Sequence, residues 1–253
     1  MSVWATRRKF IYTGSFFLFI ILAVGIPAVV ILYNPAMCDD GKKNGDERGV
    51  DCGGSCRAIC PADALAPTIL WQRAFKVTDG VYNAVALIEN PNLEWGTKKS
   101  AYQFKLFDAK GLVIAERTGT TDISAHQTFP IFEQTIRAGN RIPTRVVFEF
   151  TSQLDWRKTQ DRSSNVKVIS QLLSNPTTAP RLEARVENKT EVELPNIEIV
   201  AILFDQQNNA MAASRTYIEN FLPAEKRSVV FTWPLPFGGP VARVNIIPKI
   251  PDR

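Results

Sequence analysis

Tyr102-Gln103-Phe104-Lys105-Leu106-Phe107-Asp108 sets large apolar side chains at every second position and then stops at an acid. A period of two belongs to a strand with one face on a core and the other toward water. A later stretch, Ile197-Glu198-Ile199-Val200-Ala201-Ile202-Leu203-Phe204-Asp205, differs in kind. Ile197, Ile199, Ala201 and Leu203 line one face, and Val200, Ile202 and Phe204 make the opposite face apolar as well. Such a strand is expected to be covered on both sides. Val146, Phe148 and Phe150 alternate in the same way, as do Val229, Phe231 and Trp233. From about residue 69 helical periodicity is poor, and short runs of this type recur between turn signals, which predicts a mainly β fold.

The runs also repeat in order. Ile88-Glu89-Asn90 matches Val186-Glu187-Asn188, Leu106-Phe107-Asp108 matches Leu203-Phe204-Asp205, and Ala115-Glu116-Arg117-Thr118 matches Ala213-Ser214-Arg215-Thr216. These three pairs are 98, 97 and 98 residues apart. Matching Val146-Val147-Phe148 to Val229-Val230-Phe231 gives 83 instead, so an insertion of about 15 residues is expected in the first copy. Asn90-Pro91-Asn92, 108–111 and 205–209 read as turns, because proline cannot donate to a ladder and Asn or Asp favours turn geometry. The expectation is two tandem β-sandwiches of antiparallel strands, residues 65–159 and 166–253, joined by a polar linker at 160–165.

Phe104-Lys105-Leu106-Phe107-Asp108 resembles the signature of the bacterial FxLYD domain, with phenylalanine in place of tyrosine. Ala201-Ile202-Leu203-Phe204-Asp205 resembles a copy that has lost the first aromatic, and Asn90-Pro91-Asn92 is similar to a turn of type-2 late-embryogenesis-abundant domains. The resemblance implies an immunoglobulin-like or fibronectin-III-like sandwich in an envelope setting. It implies no catalytic residue, and a fold alone does not define an activity.

Upstream lies a segment of another kind. Residues 10–33 carry no charge over 24 positions. As a helix they would be about 36 Å long, enough to cross roughly 30 Å of hydrocarbon with some tilt. Gly14, Ser15, Gly25 and Pro27 are tolerable there, and Trp4 and Tyr33 bracket the segment as interfacial aromatics do. Arg7, Arg8 and Lys9 precede it and no acid occurs before Asp39, so residues 1–9 are expected in the cytoplasm and everything after residue 33 outside it. The rival is a cleaved signal peptide, but the apolar run is longer than the usual signal core and no Ala-x-Ala pattern follows. A lipoprotein signal fits poorly, because Met37 rather than a small residue precedes Cys38. The net charge of +5 is largely this basic flank. The near-neutral remainder argues against a nucleic-acid partner, which needs a dense basic face.

All four cysteines, Cys38, Cys52, Cys56 and Cys60, fall within residues 34–64. On an oxidising side they read as two disulfides of any of three connectivities, stapling a segment too short to bury a core. A four-thiolate zinc site is the rival, although the spacing lacks paired CxxC knuckles. Between Cys38 and Cys52 acids and amides interleave with glycines. Asp40, Asn44, Asp46 and Asp51 are the candidate ligands for calcium, which prefers six to eight oxygens. EF-hand spacing is absent, Lys42 and Lys43 counter the charge, and the alternative is a solvated turn region with no cofactor at all. The run Asp40-Gly41, Asn44-Gly45-Asp46-Glu47, Gly49-Val50-Asp51-Cys52-Gly53-Gly54, Cys56 resembles a cysteine-rich motif of bacterial surface proteins.

Catalytic constellations are missing from the sequence. His126 is the single histidine, and its neighbours Ser124 and Asp122 lie too close along one loop to converge as a triad. No HExxH, phosphate-binding glycine loop or nucleophile elbow occurs. Phe129, Ile131 and Phe132, in the expected insertion, are the candidate partner-binding residues, with an edge strand packed on the same core as the alternative. Trp233-Pro234-Leu235-Pro236-Phe237 poses the same choice, and Asn188-Lys189-Thr190 fits a glycosylation sequon. The expected function is that of a single-pass, membrane-anchored, non-enzymatic binding or structural protein of the cell envelope. Its partners would be the bilayer through 10–33 and an envelope protein or glycan. The alternatives are an accessory subunit of a secretion or appendage complex, and a surface hydrolase.

Overall fold

A computed structural model describes residues 3–28 and 37–251. The chain forms two compact units, which divide between Cys60 and Pro61. In the first, helix α1 (Val3–Ile20) runs into a π turn at Ile21–Gly25, and helix continues to Ala28. A π turn inside a helix fits this site, since Pro27 carries no N–H to complete the regular ladder. The stretch Arg7–Ala28 is long and apolar enough to cross a membrane. Residues 29–33 of the expected span lie outside the described residues.

Among its described residues the second unit is all β apart from two short 3-10 turns. Its strands are β1 (Thr68–Thr78), β2 (Val81–Glu89), β3 (Trp95–Phe107), β4 (Val113–Ile123), β5 (Thr128–Arg137), β6 (Arg145–Phe150), β7 (Trp156–Lys158), β8 (Val166–Ser174), β9 (Arg181–Asn188), β10 (Leu194–Phe204), β11 (Ala210–Phe221), β12 (Lys226–Thr232) and β13 (Arg243–Lys249). Every pairing is antiparallel. The first sandwich faces β1-β2-β5 against β4-β3-β6, with β7 also on β3. The second faces β8-β9-β12 against β11-β10-β13.

The two sandwiches share one topology strand for strand, and their registers locate the repeat. Ile131 pairs with Ala86 in the first copy, as Val229 pairs with Ala184 in the second, and both shifts are 98 residues. Val146 pairs with Leu106 as Val244 pairs with Leu203. β5 is therefore the counterpart of β12, and β6 of β13. The expected insertion does not exist. Val146-Val147-Phe148 and Val229-Val230-Phe231 look alike only because two core strands draw on the same apolar residues. Bulges repeat too, at Ile69/Trp71 and Val168/Ser170. At each hairpin tip one aspartate does the same work. Asp108 Oδ1 accepts the Lys110 and Leu112 N–H groups at 2.9 and 3.0 Å, and Asp205 Oδ1 those of Gln207 and Asn209 at 2.9 and 2.8 Å. The acid that ends each strand run thus folds the turn onto itself.

Alternation assigns three apolar layers. Ala84, Ala86 and Ile88 of β2 meet Tyr102, Phe104 and Leu106 of β3 inside the first sandwich. Leu182, Ala184 and Val186 of β9 meet Ile197, Ile199, Ala201 and Leu203 of β10 inside the second. The remaining faces of β2 and β10 form a third layer, in which Val85 and Leu87 meet Val200, Ile202 and Phe204, joined by Phe75, Phe132, Ala210 and Ala213. The two-sided apolar character of β10 is explained by this contact: the sandwiches stack through the β1-β2-β5 sheet of one and the β11-β10-β13 sheet of the other. The contacting sheets are not equivalent ones, so the junction is heterologous. The faces that would continue such a stack are polar: Gln103 and Lys105 on β3, and Glu183, Arg185 and Glu187 on β9. Polar outer faces stop a repeat array from growing.

Candidate functional site

Among the described residues three places concentrate polar or reactive groups, and the first is buried. Asn90 and Asn188, 1% and 0% exposed, sit at the ends of β2 and β9. The Asn188 amide donates to the carbonyls of Val192, Phe221 and Leu222 at 2.9, 3.0 and 2.9 Å. Its Oδ1 accepts the Thr190 N–H and hydroxyl at 2.9 and 2.8 Å. The Asn90 amide likewise donates to Trp95 and Ser124 carbonyls at 2.7 and 2.8 Å, while its Oδ1 accepts the Asn92 N–H at 3.1 Å. Each asparagine plugs one end of its sandwich by bonding backbone groups of strand ends and the adjoining loops. The sequon at Asn188 is consequently sealed in the folded protein, with its amide nitrogen committed. The sequence marks Asn90 as a turn former and as the match of Asn188, but not as a buried plug. The 98-residue recurrence of asparagine at the end of an apolar run was the available signal.

The second place is the rim of the junction between the sandwiches. Arg73 of β1 donates to the Ala210 carbonyl at 3.0 Å and to Asn209 Oδ1 at 2.9 Å. Arg215 of β11 donates to the Phe132 carbonyl at 2.8 Å and to Glu198 Oε1 at 3.1 Å, and its guanidinium lies 5.0 Å from the Phe132 ring centre. The Tyr102 hydroxyl donates to Glu133 Oε1 at 2.8 Å. Burial, with Glu133 beside it, pushes the Tyr102 phenol well above its ordinary range. Lys249 of β13 crosses to the first sandwich, where its ammonium donates to Thr121 Oγ1 and lies 5.5 Å from the Phe129 ring centre. Desolvation lowers its pKa, against the opposing pull of Glu198 and Asp122. Arg73, Arg215 and Lys249 each bond a polar group of the opposite sandwich, and Tyr102 is tied to Glu133 beside them. They stitch it rather than present a nucleophile to solvent.

The Lys249 shift fixes a pH effect. A base whose folded pKa is depressed makes folding less favourable while it stays charged. That penalty is relieved as pH rises through the folded pKa toward the unfolded value near 10.4. Lys249→Met is therefore expected to remove an alkaline rise in stability, seen as a shallower dependence of the urea midpoint on pH than in the unaltered protein. Ionisation of Tyr102 in the unfolded chain acts in the opposite direction above about pH 10, so the comparison is made between the two proteins at each pH.

Phe129, Ile131 and Phe132 all lie on β5 and are buried. Phe129 and Ile131 belong to the first core and Phe132 to the junction layer. They are core and inter-sandwich contacts, not exposed anchors, because β5 is a full strand of the repeat rather than an inserted loop. Trp233 and Phe237 pack edge to face at 5.3 Å against the second core, and the Trp233 indole donates to the Ala213 carbonyl at 3.2 Å. His126 is exposed in a left-handed turn (φ 46°), and its backbone N–H donates to the Asn92 carbonyl at 2.8 Å. Ser124 is buried, and Asp122 Oδ1 accepts the Lys99 N–H at 2.9 Å, so the three do not assemble.

The third place is the cysteine module. Its disulfides are Cys38–Cys56 and Cys52–Cys60. A Cβ on Gly49 would sit 2.7 and 2.9 Å from the sulfurs of Cys52 and Cys60, so glycine is required where the chain crosses that bond. Of the calcium candidates, Asp40, Asp46 and Asp51 serve the loop itself, whereas Asn44 Oδ1 is buried without a hydrogen-bond partner among the described residues. Asp51 accepts the Asp40 N–H at 2.9 Å and the Gly41 N–H at 2.9 Å. Asp40 accepts the Lys42 N–H at 2.8 Å and the Asn44 amide at 2.7 Å. Asp46 lies apart from these and accepts the Ser55 hydroxyl at 2.8 Å. Glu47, absent from the sequence-based candidates, is 6% exposed and accepts the Asn44 N–H at 3.0 Å. Cys38, Glu47 and Cys56 bring three potential metal-ligand atoms within 4.8 Å of one another, but both sulfurs are spent in a disulfide.

No family model and no curated protein matches the chain. Among solved structures it is similar to red sea bream transglutaminase, with 10% identity and a TM-score of 0.23 over 71% of this chain and 31% of that one. It is also similar to a β-glucuronidase of glycoside hydrolase family 2, with 9% identity and a TM-score of 0.21 over 61% of this chain and 20% of that one. The chain thus spans less than a third of the length of either, and likeness at this level carries no argument about activity.

Proposed function

We propose that the chain is a membrane-tethered, non-enzymatic protein of the cell envelope, with its cysteine module and paired sandwiches outside the cytoplasm. The observation that carries this reading is the helix itself. Its large apolar side chains, from Phe10 to Ile26, are exposed all round, and Arg7, Arg8 and Lys9 flank it on one side only. A helix apolar on every face is stable in lipid and not in water. Two disulfides just beyond it support an oxidising compartment. The stitched junction supports a structural or presenting role, since it couples the sandwiches as one body. The FxLYD-like signature agrees with an envelope setting, and a protein or glycan of the envelope is the proposed partner class.

Replacing residues 10–33 with an unrelated apolar helix tests the reading. A tether keeps its membrane fractionation and its function in cells. Loss of function with membrane fractionation intact would instead favour an accessory subunit that assembles through the helix. Because Asp40, Asp46 and Asp51 are engaged by N–H, amide and hydroxyl groups of the module itself, calcium or a chelator is expected to leave its resistance to proteases unchanged. Protection that follows calcium in limited proteolysis would return Asp40, Asn44, Asp46 and Asp51 to a metal role.

A further inference from the structure

We propose that Glu47 is an electrostatic guard of the Cys38–Cys56 disulfide against attack by thiols. The inference rests on three observations. Cys38 is exposed, whereas Cys56 is 3% exposed, so Cys38 is the more open side of the bond to an incoming nucleophile. Glu47 is buried beside the bond, with Oε1 3.3 Å from Cys56 Sγ. A disulfide sulfur has no proton to donate, so this contact is not a hydrogen bond; Oε2 is the oxygen held by a donor, the Asn44 N–H.

The chemistry follows from where the electrons go. An external thiolate bonds to Cys38 Sγ, the Cys38–Cys56 bond breaks, and its electron pair remains on Cys56 Sγ as a thiolate. A second external thiolate then attacks the sulfur of the first in the mixed disulfide. It expels the Cys38 thiolate and leaves a small-molecule disulfide as the oxidised product. In the first step negative charge develops against an enclosed carboxylate. A like charge at that distance raises the pKa of the leaving thiol, and a higher leaving-group pKa slows exchange. Cys52–Cys60 has no carboxylate contact among the described residues and is the internal reference.

The test is the rate at which glutathione reduces each disulfide of the full-length, detergent-solubilised chain, read by alkylation and peptide mass spectrometry. Glu47→Gln keeps the shape and replaces the charge with an amide that can donate to the departing sulfur. Cys38–Cys56 should then open about tenfold faster or more, while Cys52–Cys60 keeps its rate. An unchanged or slower Cys38–Cys56 rate contradicts the guard. Equal acceleration of both bonds also contradicts it, by showing that Glu47 only holds the module's fold. An independent arm uses Cys38→Ser, which leaves the Cys56 thiol beside Glu47. Its pKa, from thiolate absorbance, should fall when Glu47→Gln is added to the same chain, and an unchanged or higher value overturns the proposal.

Discussion

Asn188→Ala is expected to destabilise the second sandwich by about 3 kcal/mol or more. The Phe221 carbonyl would lose its Asn188 donor and the Thr190 N–H its acceptor, while the Val192 and Leu222 carbonyls keep the Thr190 hydroxyl and the Glu225 N–H. Each buried polar group left without a partner costs about 1–3 kcal/mol, and partial entry of water keeps the total below the simple sum. Asn188→Asp should be worse still, although it is nearly isosteric. It keeps the Oδ1 acceptor but points a second carboxylate oxygen at three carbonyl oxygens in a site that is 0% exposed. Asn90→Ala should cost less, because its amide serves two carbonyls rather than three. Exposed Asn220→Ala is the control and should stay within about 0.5 kcal/mol. Urea denaturation followed by tryptophan fluorescence measures all four. Equal stability of Asn188→Ala and the control would mean that the loops at that end hold themselves.

The second large effect concerns the seam. Ile202→Asp is expected to separate the two sandwiches thermodynamically. Ile202 is 0% exposed and faces Val85, Leu87 and Phe132 across the junction, while its neighbours Ala201 and Leu203 face the second core. A carboxylate there has no cation to pair with inside the apolar layer, and an unpaired buried charge costs several kcal/mol. Opening the seam relieves that cost without disturbing the core behind β10. The unaltered chain is expected to melt its sandwiches in one calorimetric transition, and the variant in two. Phe204→Ala should act in the same direction more mildly, by about 3–5 kcal/mol, through loss of the ring packed edge-on against Trp71 at 6.4 Å. Two separate transitions in the unaltered protein would contradict the coupled pair.

Much of this architecture was legible because its causes are local. Charge-free length identifies the helix, and period-two alternation identifies the strands. The two apolar faces of 197–204 foretold a strand covered on both sides, although not by what. The failures were failures of register. A Val-Val-Phe string suits any core strand, so matching it displaced β6 onto β12 and created an insertion. The true correspondence lies in which residues sit opposite one another, and only pairing reveals that. Once β5 was read as an insertion, Phe129, Ile131 and Phe132 looked available to a partner. Spacing alone left three disulfide connectivities open. Arg73, Arg215 and Lys249 were invisible for a related reason. Each reaches from one copy to the other, and no short-range pattern encodes a contact between residues more than eighty positions apart, such as Arg215 with Phe132.

The junction also accounts for the apolar outer sheet of each sandwich. Each copy offers one apolar outer sheet, the two meet, and the outermost sheets carry Gln103 and Lys105 or Glu183, Arg185 and Glu187. The result is a pair of sandwiches joined through unlike sheets.

Sidedness is the claim on which compartment, disulfides and partner class all rest, and a pair of reporters appended after Arg253 measures it directly. Alkaline phosphatase, which needs oxidising conditions to fold, should be active there, and a fluorescent protein that matures only in the cytosol should stay dark. A dark phosphatase with a bright fluorescent fusion would place the sandwiches inside the cell and contradict the account.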